Sequence, residues 1–595
     1  VVTEITVVTL GSKMFGHDSG IFFIDNVDKT LFGLATERVT RLKHDGSLCY
    51  PTINVLKQLY DVSDGIELLH SYTGVDYYIG YYPTFTDFQL RKILTSRKSS
   101  RKQKFKQLVF HKPLHLIYLP IYDKLIPRSW KVNWSDNKEK VAEKCKKNIK
   151  AKTDVVVNKI GFENHHLCHA ASSFFFSPFK EALCVTLDGY GDNASSRVYL
   201  GRKERFERIA LTEDKLYKGC SVGRFYTTIT RILGIIPFSD EGKVEALASY
   251  GSYKNKLYDF LKRNSRIKSD SDVSIELSRD LAGLNFDEIR LTELRAQLGD
   301  SNVAAAVQKW LEEIGVEYIQ ALVDETKMQN LCFSGGVFAN VKLNQKIFEL
   351  LKPNMYIFPA MGDMGTAAGA EALRMIDLGE DISWLKGEEM PYWGTDYTVD
   401  KVKDVLKKSR LPFEYLGENW WDTLACLIAK GNVVSLFHGK MEYGPRALGN
   451  RSLLADPRSS RIKDVINTTM KRREWYQPFC PSILEEERSR YFENSYKNKH
   501  MTCAFSMKEE YQELLPAVIH VDGTARPQFV EKHDNPSYYM FLEALKQEID
   551  YGVVLNTSFN LHGRAIVMTP EDAIQDFVDC GLDYLVMEGY LVKRK

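Results

Sequence analysis

Three turns in this chain set glycines around a polar or acidic residue, and two of them follow directly on a short apolar run. Ala182–Leu187 leads into Asp188-Gly189-Tyr190-Gly191-Asp192, and Asn330–Phe333 leads into Ser334-Gly335-Gly336-Val337; a third turn runs from Gly362-Asp363-Met364-Gly365 to Gly369. Short apolar runs bounded by glycine are strands. Alternation of strands with helical stretches from Val155 to about Gly379 predicts an α/β fold, in which ligands gather at the carboxyl ends of the strands. Glycine there lets the backbone approach a ligand, and exposed N–H groups in such loops cradle phosphate. Upstream, Ile5–Leu10, Ile21–Asp25 and Thr30–Thr36 predict a β-meander opening the same domain.

At 595 residues the chain exceeds one ordinary core. The polar connector Asp381–Tyr397 is followed from Val399 by a fresh α/β pattern, with strands at Asn432–His438 and Tyr551–Leu555. Two domains are therefore expected, 1–386 and 387–595, with no internal repeat visible in the sequence. The net charge of +2 implies no polyelectrolyte partner for the whole chain, yet Arg91–Lys150 carries 18 Lys and Arg against 4 acids. That stretch reads as a solvated basic insertion, about 90–152, on the first domain. Apolar residues from Leu114 to Leu119 would dock it; a lid or an anionic-ligand surface is the alternative. Ten cysteines without a CxxC pair argue against a zinc ribbon or a disulfide framework and fit a reducing, cytoplasmic setting. No apolar run approaches the roughly 20 residues of a membrane span, and the first residues read as a strand rather than a signal peptide.

Two groups of residues carry chemistry. In the first, His165 and His169 are four apart in a segment compatible with a helix, so both imidazoles share a face. Asp188 and Asp363 sit at glycine-flanked turns. Two imidazoles and two carboxylates suit iron, zinc or manganese rather than calcium. The glycine turns look like the phosphate and adenosine loops of an actin-like ATPase. They nominate Gly189, Gly191, Gly335, Gly336 and the nearby Asn340 for nucleotide binding, with Lys243 as a further nucleotide contact. His17, at the turn Gly16-His17-Asp18-Ser19-Gly20, is the candidate base for an acceptor hydroxyl. In the second group, Arg446, Arg451, Lys471, Arg473 and Arg526 stand next to Gly, Pro or Asn turns, near Asn556 in Asn556-Thr557-Ser558-Phe559-Asn560. Cations held at separate turns point to one shared polyanion.

Together these motifs resemble the carbamoyltransferase family of natural-product biosynthesis that includes the nodulation, cephamycin, tobramycin and ansamycin enzymes. The resemblance rests on His165-x-x-x-His169 with Asp188, Gly335-Gly336-Val337, Gly362-Asp363-Met364-Gly365, Glu442-Tyr443-Gly444-Pro445-Arg446-Ala447-Leu448-Gly449, His520-Val521-Asp522-Gly523-Thr524-Ala525-Arg526 and Asn556-Thr557-Ser558-Phe559-Asn560. It implies an N-terminal actin-like domain, a duplicated RNase H-like fold similar to the tRNA threonylcarbamoyl transferase. It also implies a C-terminal twisted-sheet domain similar to threonylcarbamoyl-AMP synthase. The implied chemistry is carbamoyladenylate formation from ATP, with Mg2+, and carbamoyl phosphate in the C-terminal domain, where Lys471 and Arg446 would be catalytic. The carbamoyl group would then pass to a hydroxyl of a small natural product in the N-terminal domain. One divalent ion, Fe2+ taken first, would be held by His165, His169, Asp188 and Asp363. The family pattern usually has Arg where this chain has Gln477, and Arg564 is the cation that would replace it.

A tRNA-modifying threonylcarbamoyl-transferase-like enzyme is the alternative that the basic insertion keeps open, and a non-catalytic ATP-binding module is a second. The expected partner is a small hydroxylated acceptor, with no nucleic acid and no membrane; a homodimer is the one protein partner kept open.

Overall fold

The computed structural model describes residues 8–13, 19–26, 28–41, 43, 50–59, 66–72, 138–192, 194–213, 221–269, 272–387 and 390–594. His17, the segment Leu114–Leu119 and most of the basic insertion lie outside the described residues. Residues 1–73 with 146–595 form one compact unit, and 74–145 form a second.

The first unit is built on mixed α/β sheets. One holds β1 (Val8–Lys13), β2 (Gly20–Asp25), β3 (Thr30–Ala35), β4 (Ile66–Tyr72) and β5 (Val157–Asn164), in the order 3-2-1-4-5. The first three strands form the expected antiparallel meander, and β4 and β5 add in parallel. The next sheet holds β6 (Glu181–Gly191), β7 (Ala194–Arg202), β8 (Arg205–Glu213), β11 (Asn330–Ser334) and β12 (Asn354–Ile357), in the order 12-11-6-7-8. Read from β8, that order is again meander first, then two parallel strands. The fold is therefore duplicated although the sequence shows no repeat. Only the pattern of buried and turn positions is shared, and that pattern tolerates different residues. A small hairpin, β9 (Ser265–Lys268) with β10 (Ser274–Leu277), lies between β8 and β11 in sequence.

Helices His165–Phe175 and Thr366–Asp377 pack against each other beside these sheets. Their apolar side chains join Phe22, Ile24, Cys184, Cys332 and Phe358 in one buried cluster. Gly369 makes the close approach possible: a Cβ there would lie 1.8 Å from the carbonyl oxygen of Cys168. Gly369 thus belongs to helix packing rather than to the third glycine turn, which ends at Gly365.

Beyond the connector, an eight-stranded sheet runs in the order 13-22-21-14-15-20-16-19, formed by β13 (Phe413–Tyr415), β14 (Val434–Phe437), β15 (Arg451–Ala455), β16 (Cys480–Leu484), β19 (Gln528–Val530), β20 (Val553–Ser558), β21 (Tyr584–Met587) and β22 (Tyr590–Lys593). β17 (Phe505–Ser506) and β18 (Thr524–Ala525) pair separately. Both faces of the large sheet are buried, one under Phe437, Phe479, Phe529 and Phe577, the other under Trp420, Phe541 and Leu545. No helix among the described residues is long and apolar enough to cross a membrane.

Candidate metal centre and anion site

The metal centre forms where β5 turns into helix His165–Phe175. Asn164 caps that helix, its side chain accepting from Leu167 N at 3.0 Å. Asp192 holds the same helix start, accepting from His165 N at 2.6 Å and from Asn164 Nδ2 at 2.5 Å. A carboxylate is favourable there because the first helical N–H groups are unsatisfied and the dipole is positive. The predicted i,i+4 pair then points both rings inward, with centroids 4.6 Å apart. Gly191 packs on the first ring: a Cβ there would be 2.1 Å from His165 Cδ2.

Asp188 enters from the end of β6, where the register with β7 is irregular between Leu187 and Gly191. Asp363 enters from the turn after β12. His165 Nε2 lies 3.1 Å from Asp188 Oδ2 and 3.6 Å from Asp363 Oδ1; His169 Nε2 is 3.7 Å from each. The four ligand atoms all lie within 4.8 Å of one another, and the residues are largely buried. Asp188 turns its other oxygen to the glycine loops, accepting from Gly189 N at 2.7 Å and Gly336 N at 3.3 Å.

The hydrogen bonds around His169 suit a metal ligand. Its Nδ1 is 2.9 Å from Ser334 Oγ, and that hydroxyl donates to Met361 O. With its proton given to Met361, Ser334 can only accept, so Nδ1 carries the ring proton and Nε2 keeps its lone pair. Nε2 is buried without a hydrogen-bond partner. Burial disfavours a charged His169, yet Asp188 and Asp363 together raise its pKa, so the site favours a positive charge at this position. Burial and the repulsion of Asp363 oppose a charged Asp188, yet His165 and His169 hold it far below the usual carboxylate range. These residues fit a divalent ion. His166, between them, is structural: it is bonded to Thr186 and Ala194, and burial pushes its pKa down to about 3.

The nucleotide candidates separate. Gly189 and Gly336 line the Asp188 turn. Gly335 is required by its φ of +104° and by Leu187 O, 2.3 Å from a would-be Cβ. Asn340 is engaged elsewhere, capping helix Val341–Leu351 and exchanging hydrogen bonds with Gln308, both buried. Lys243 is committed to Asp240 at 3.0 Å and to Glu474 at 2.9 Å, which ties the two halves of the chain together.

Of the predicted anion ligands, four gather. Arg526 donates twice to Cys480 Sγ, at 3.0 and 2.8 Å. Arg446 is repelled by Arg526, and burial with that repulsion pushes its pKa down to about 9. Its Nε is buried without a hydrogen-bond partner, and Glu245 attracts it without an ion pair among the described residues. Arg473 rests on the Phe479 ring, bonds Asn467 and leaves Nη2 unsatisfied; burial, with Arg526 adding, pushes it down to about 10. Lys471, 2% exposed, donates only to neutral oxygens of Ser558 and Asn560. Burial and Arg473 hold its pKa well below the usual value. Glu245 attracts Arg446 and Arg526, and Glu474 attracts Arg473, yet none of the four cations makes an ion pair with a carboxylate among the described residues; buried cations that repel one another in this way are arranged for an anion.

Three anion candidates are corrected. Arg451 is fully buried and donates to the carbonyls of His438, Asn450, Thr395 and Gly439, so it braces loops. Asn556 is buried in the sheet, donating to Ala447 O and Ser482 Oγ. Arg564 does not replace the cation missing at Gln477; it is paired with Asp576 and Asp579. Gln477 itself donates to Glu474. A role that sequence reasoning missed belongs to Glu442, whose Oε1 accepts from Leu448, Asn450 and Arg451 N–H groups and shapes the loop after Arg446.

Comparison with known proteins covers both parts of the chain. Residues 8–372 match the family model Carbamoyltransferase N-terminus, and 425–594 match Carbamoyltransferase C-terminus. The Methanocaldococcus jannaschii protein MJ1058 is 44% identical over 98% of this chain and 99% of its own length. Nodulation protein NolO of Bradyrhizobium diazoefficiens is 33% identical over 73% of this chain and 79% of its own. A 3'-hydroxymethylcephem-O-carbamoyltransferase of Streptomyces clavuligerus is 28% identical over 57% of this chain and 61% of its own. The chain therefore belongs to the carbamoyltransferase family.

Proposed function

We propose that the protein is an ATP-dependent O-carbamoyltransferase that divides its reaction between residues 1–386 and 387–595. The C-terminal part, similar to threonylcarbamoyl-AMP synthase, hydrolyses carbamoyl phosphate to carbamate and phosphate, and the carbamate then attacks the α-phosphorus of ATP, giving carbamoyladenylate and releasing pyrophosphate. The N-terminal part, actin-like and similar to the tRNA threonylcarbamoyl transferase, passes the carbamoyl group to a hydroxyl of a small natural product. The observation that carries this reading is the set of buried, mutually repelling cations Arg446, Lys471, Arg473 and Arg526, in one chain with the His165, His169, Asp188 and Asp363 cluster.

Each set suits its step. Two phosphate-bearing substrates repel each other, and buried guanidiniums lower that repulsion most where water is excluded. Arginine forks grip phosphate oxygens in pairs, while Lys471 adds a point charge. The imidazoles and carboxylates would hold a divalent ion, Fe2+ taken first, which supplies Lewis acidity toward a carbamoyl or phosphate oxygen. Gly189 and Gly336 leave backbone room beside Asp188 for the nucleotide. A base must accept the acceptor's hydroxyl proton, and His17 is the candidate. Carbamoyladenylate reacts with water, so a hand-over inside the protein protects it.

The experiment measures pyrophosphate release from ATP with and without carbamoyl phosphate, then screens hydroxylated acceptors by mass spectrometry for a carbamoyl gain. Release that requires both substrates is expected. Its absence in metal-loaded, folded protein overturns the reading.

A further inference from the structure

The motif His520-Val521-Asp522-Gly523-Thr524-Ala525-Arg526 contributes Arg526 to the anion site, but the two-step reaction leaves its histidine without a role. His520 is 8% exposed, and its Nε2 is buried without a hydrogen-bond partner. The ring is oriented from its other side, with Nδ1 3.6 Å from Asp522 Oδ1. Asp522 is itself fixed: Thr524 donates to Oδ1 through its N–H and hydroxyl, Ser249 donates to Oδ2 at 3.0 Å, and Lys342 pairs with it. An oriented imidazole with one unused buried nitrogen costs free energy unless something bonds to that nitrogen.

Tyr250 packs edge-on against it and leads to further rings. Tyr250 lies with its centroid 5.9 Å from His520, 5.1 Å from Trp475 and 6.5 Å from Tyr476. Trp475 is 59% exposed, an unusual position for a ring that a purely structural role would bury. Two residues before Trp475 stands Arg473, and six after His520 stands Arg526, both at the anion site. The rings meet edge to face, at 84° for Tyr250 with His520 and 72° for Tyr250 with Trp475, so the exposed Trp475 face is left for a stacking partner. An exposed indole face, an unpartnered imidazole nitrogen and nearby buried cations match the two ends of a nucleotide.

We propose that Tyr250, Trp475 and His520 form the purine-base subsite for ATP at the C-terminal anion site, and that His520 Nε2 bonds the edge of the base. This rests on the proposed use of ATP. The subsite straddles the chain: Tyr250, Ser249 and Lys342 come from the N-terminal part, the other residues from the C-terminal part. Base recognition therefore depends on the two parts being docked.

The test compares equilibrium binding of ATP, GTP and inorganic tripolyphosphate to wild type, W475A and H520F. Tripolyphosphate reads the cations alone. Trp475→Ala is expected to weaken ATP at least tenfold and leave tripolyphosphate unchanged. His520→Phe, which keeps a ring but removes the nitrogen, is expected to cut the preference for ATP over GTP at least fivefold. Parallel losses of ATP and tripolyphosphate, or no loss at all, overturn the proposal. Wild-type protein that binds tripolyphosphate but gains nothing from the base overturns it and leaves the anion site standing; binding of neither ligand overturns both. Photolabelling of unmodified protein with 8-azido-ATP needs no variant. The label should map to peptides carrying Tyr250 or Trp475, and labelling confined to other peptides contradicts the assignment.

Discussion

At the scale of single residues, the gathering of His165, His169, Asp188 and Asp363 was legible, and that of the cations was legible in part. The i,i+4 spacing of His165 and His169 survives any tertiary arrangement of a helix, and a carboxylate at a glycine-flanked strand end has few places to go. A cation in a sequence carries no such constraint. Arg446 and Arg451 stand five apart in one motif, yet one is unpaired and the other spends its guanidinium on four backbone carbonyls. Only the fold decides which partners meet. The difference is measurable. Arg446→Ala should raise the KM for carbamoyl phosphate at least tenfold with little change in Tm. Arg564→Ala, which removes a partner of Asp576 and Asp579, should lower Tm and leave that KM within about twofold; a KM effect of Arg564→Ala would restore it to the anion site. Ser334 carries no signal in the sequence beyond its place in a glycine turn. Since it fixes the His169 tautomer, Ser334→Ala should weaken metal binding by about 10- to 100-fold in direct titration, whereas His169→Ala should abolish stoichiometric binding.

At the scale of elements, the strands ending at the glycine turns were readable because short apolar runs beside glycine admit few alternatives. The duplication was not, because two sheets of the same order share no residues that repeat. Helix packing shows the same limit. Gly369 reads as part of a loop motif but lies inside helix Thr366–Asp377, where it lets Cys168, between the two metal-site histidines, approach backbone to backbone. Gly369→Ala should cost about 1–3 kcal/mol, the usual penalty for overpacking. It should also weaken metal binding because the crossing sets where the rings point. Equilibrium denaturation and metal titration of the same variant check both effects.

Ion pairs within the first half, and one between the halves, give a pH dependence of known sign. Burial opposes a charged Asp240, yet Lys43 and Lys243 hold it well below the usual carboxylate range. Burial likewise opposes a charged Asp522, and His520 and Lys342 overcome it. Both pKa values are depressed on folding, so the stabilisation is present above the unfolded value of about 3.9 and is lost as pH falls through the folded values. Thermal unfolding should therefore give a Tm that falls steeply below about pH 4. Replacing Asp240 with Asn should flatten that fall, and an unchanged slope would mean that this pair carries none of it.

At the scale of the whole molecule, two sites of opposite make-up share one chain. Carboxylates and imidazoles converge near the N-terminal sheets, while buried cations that repel one another converge at the C-terminal sheet, and Lys243 pairs with Glu474 between the halves. The proposed division of chemistry rests on that contrast: the cationic site would form the adenylate, and the imidazole–carboxylate site would spend it. The most direct test breaks the two steps separately in folded protein. Lys471→Ala should make no carbamoyladenylate, yet should carbamoylate an acceptor when carbamoyladenylate is supplied. His169→Ala should release pyrophosphate from ATP and carbamoyl phosphate, yet transfer nothing. If Lys471→Ala, folded and metal-bound, fails to use supplied carbamoyladenylate, the two sites are one composite active site and the division proposed here is wrong.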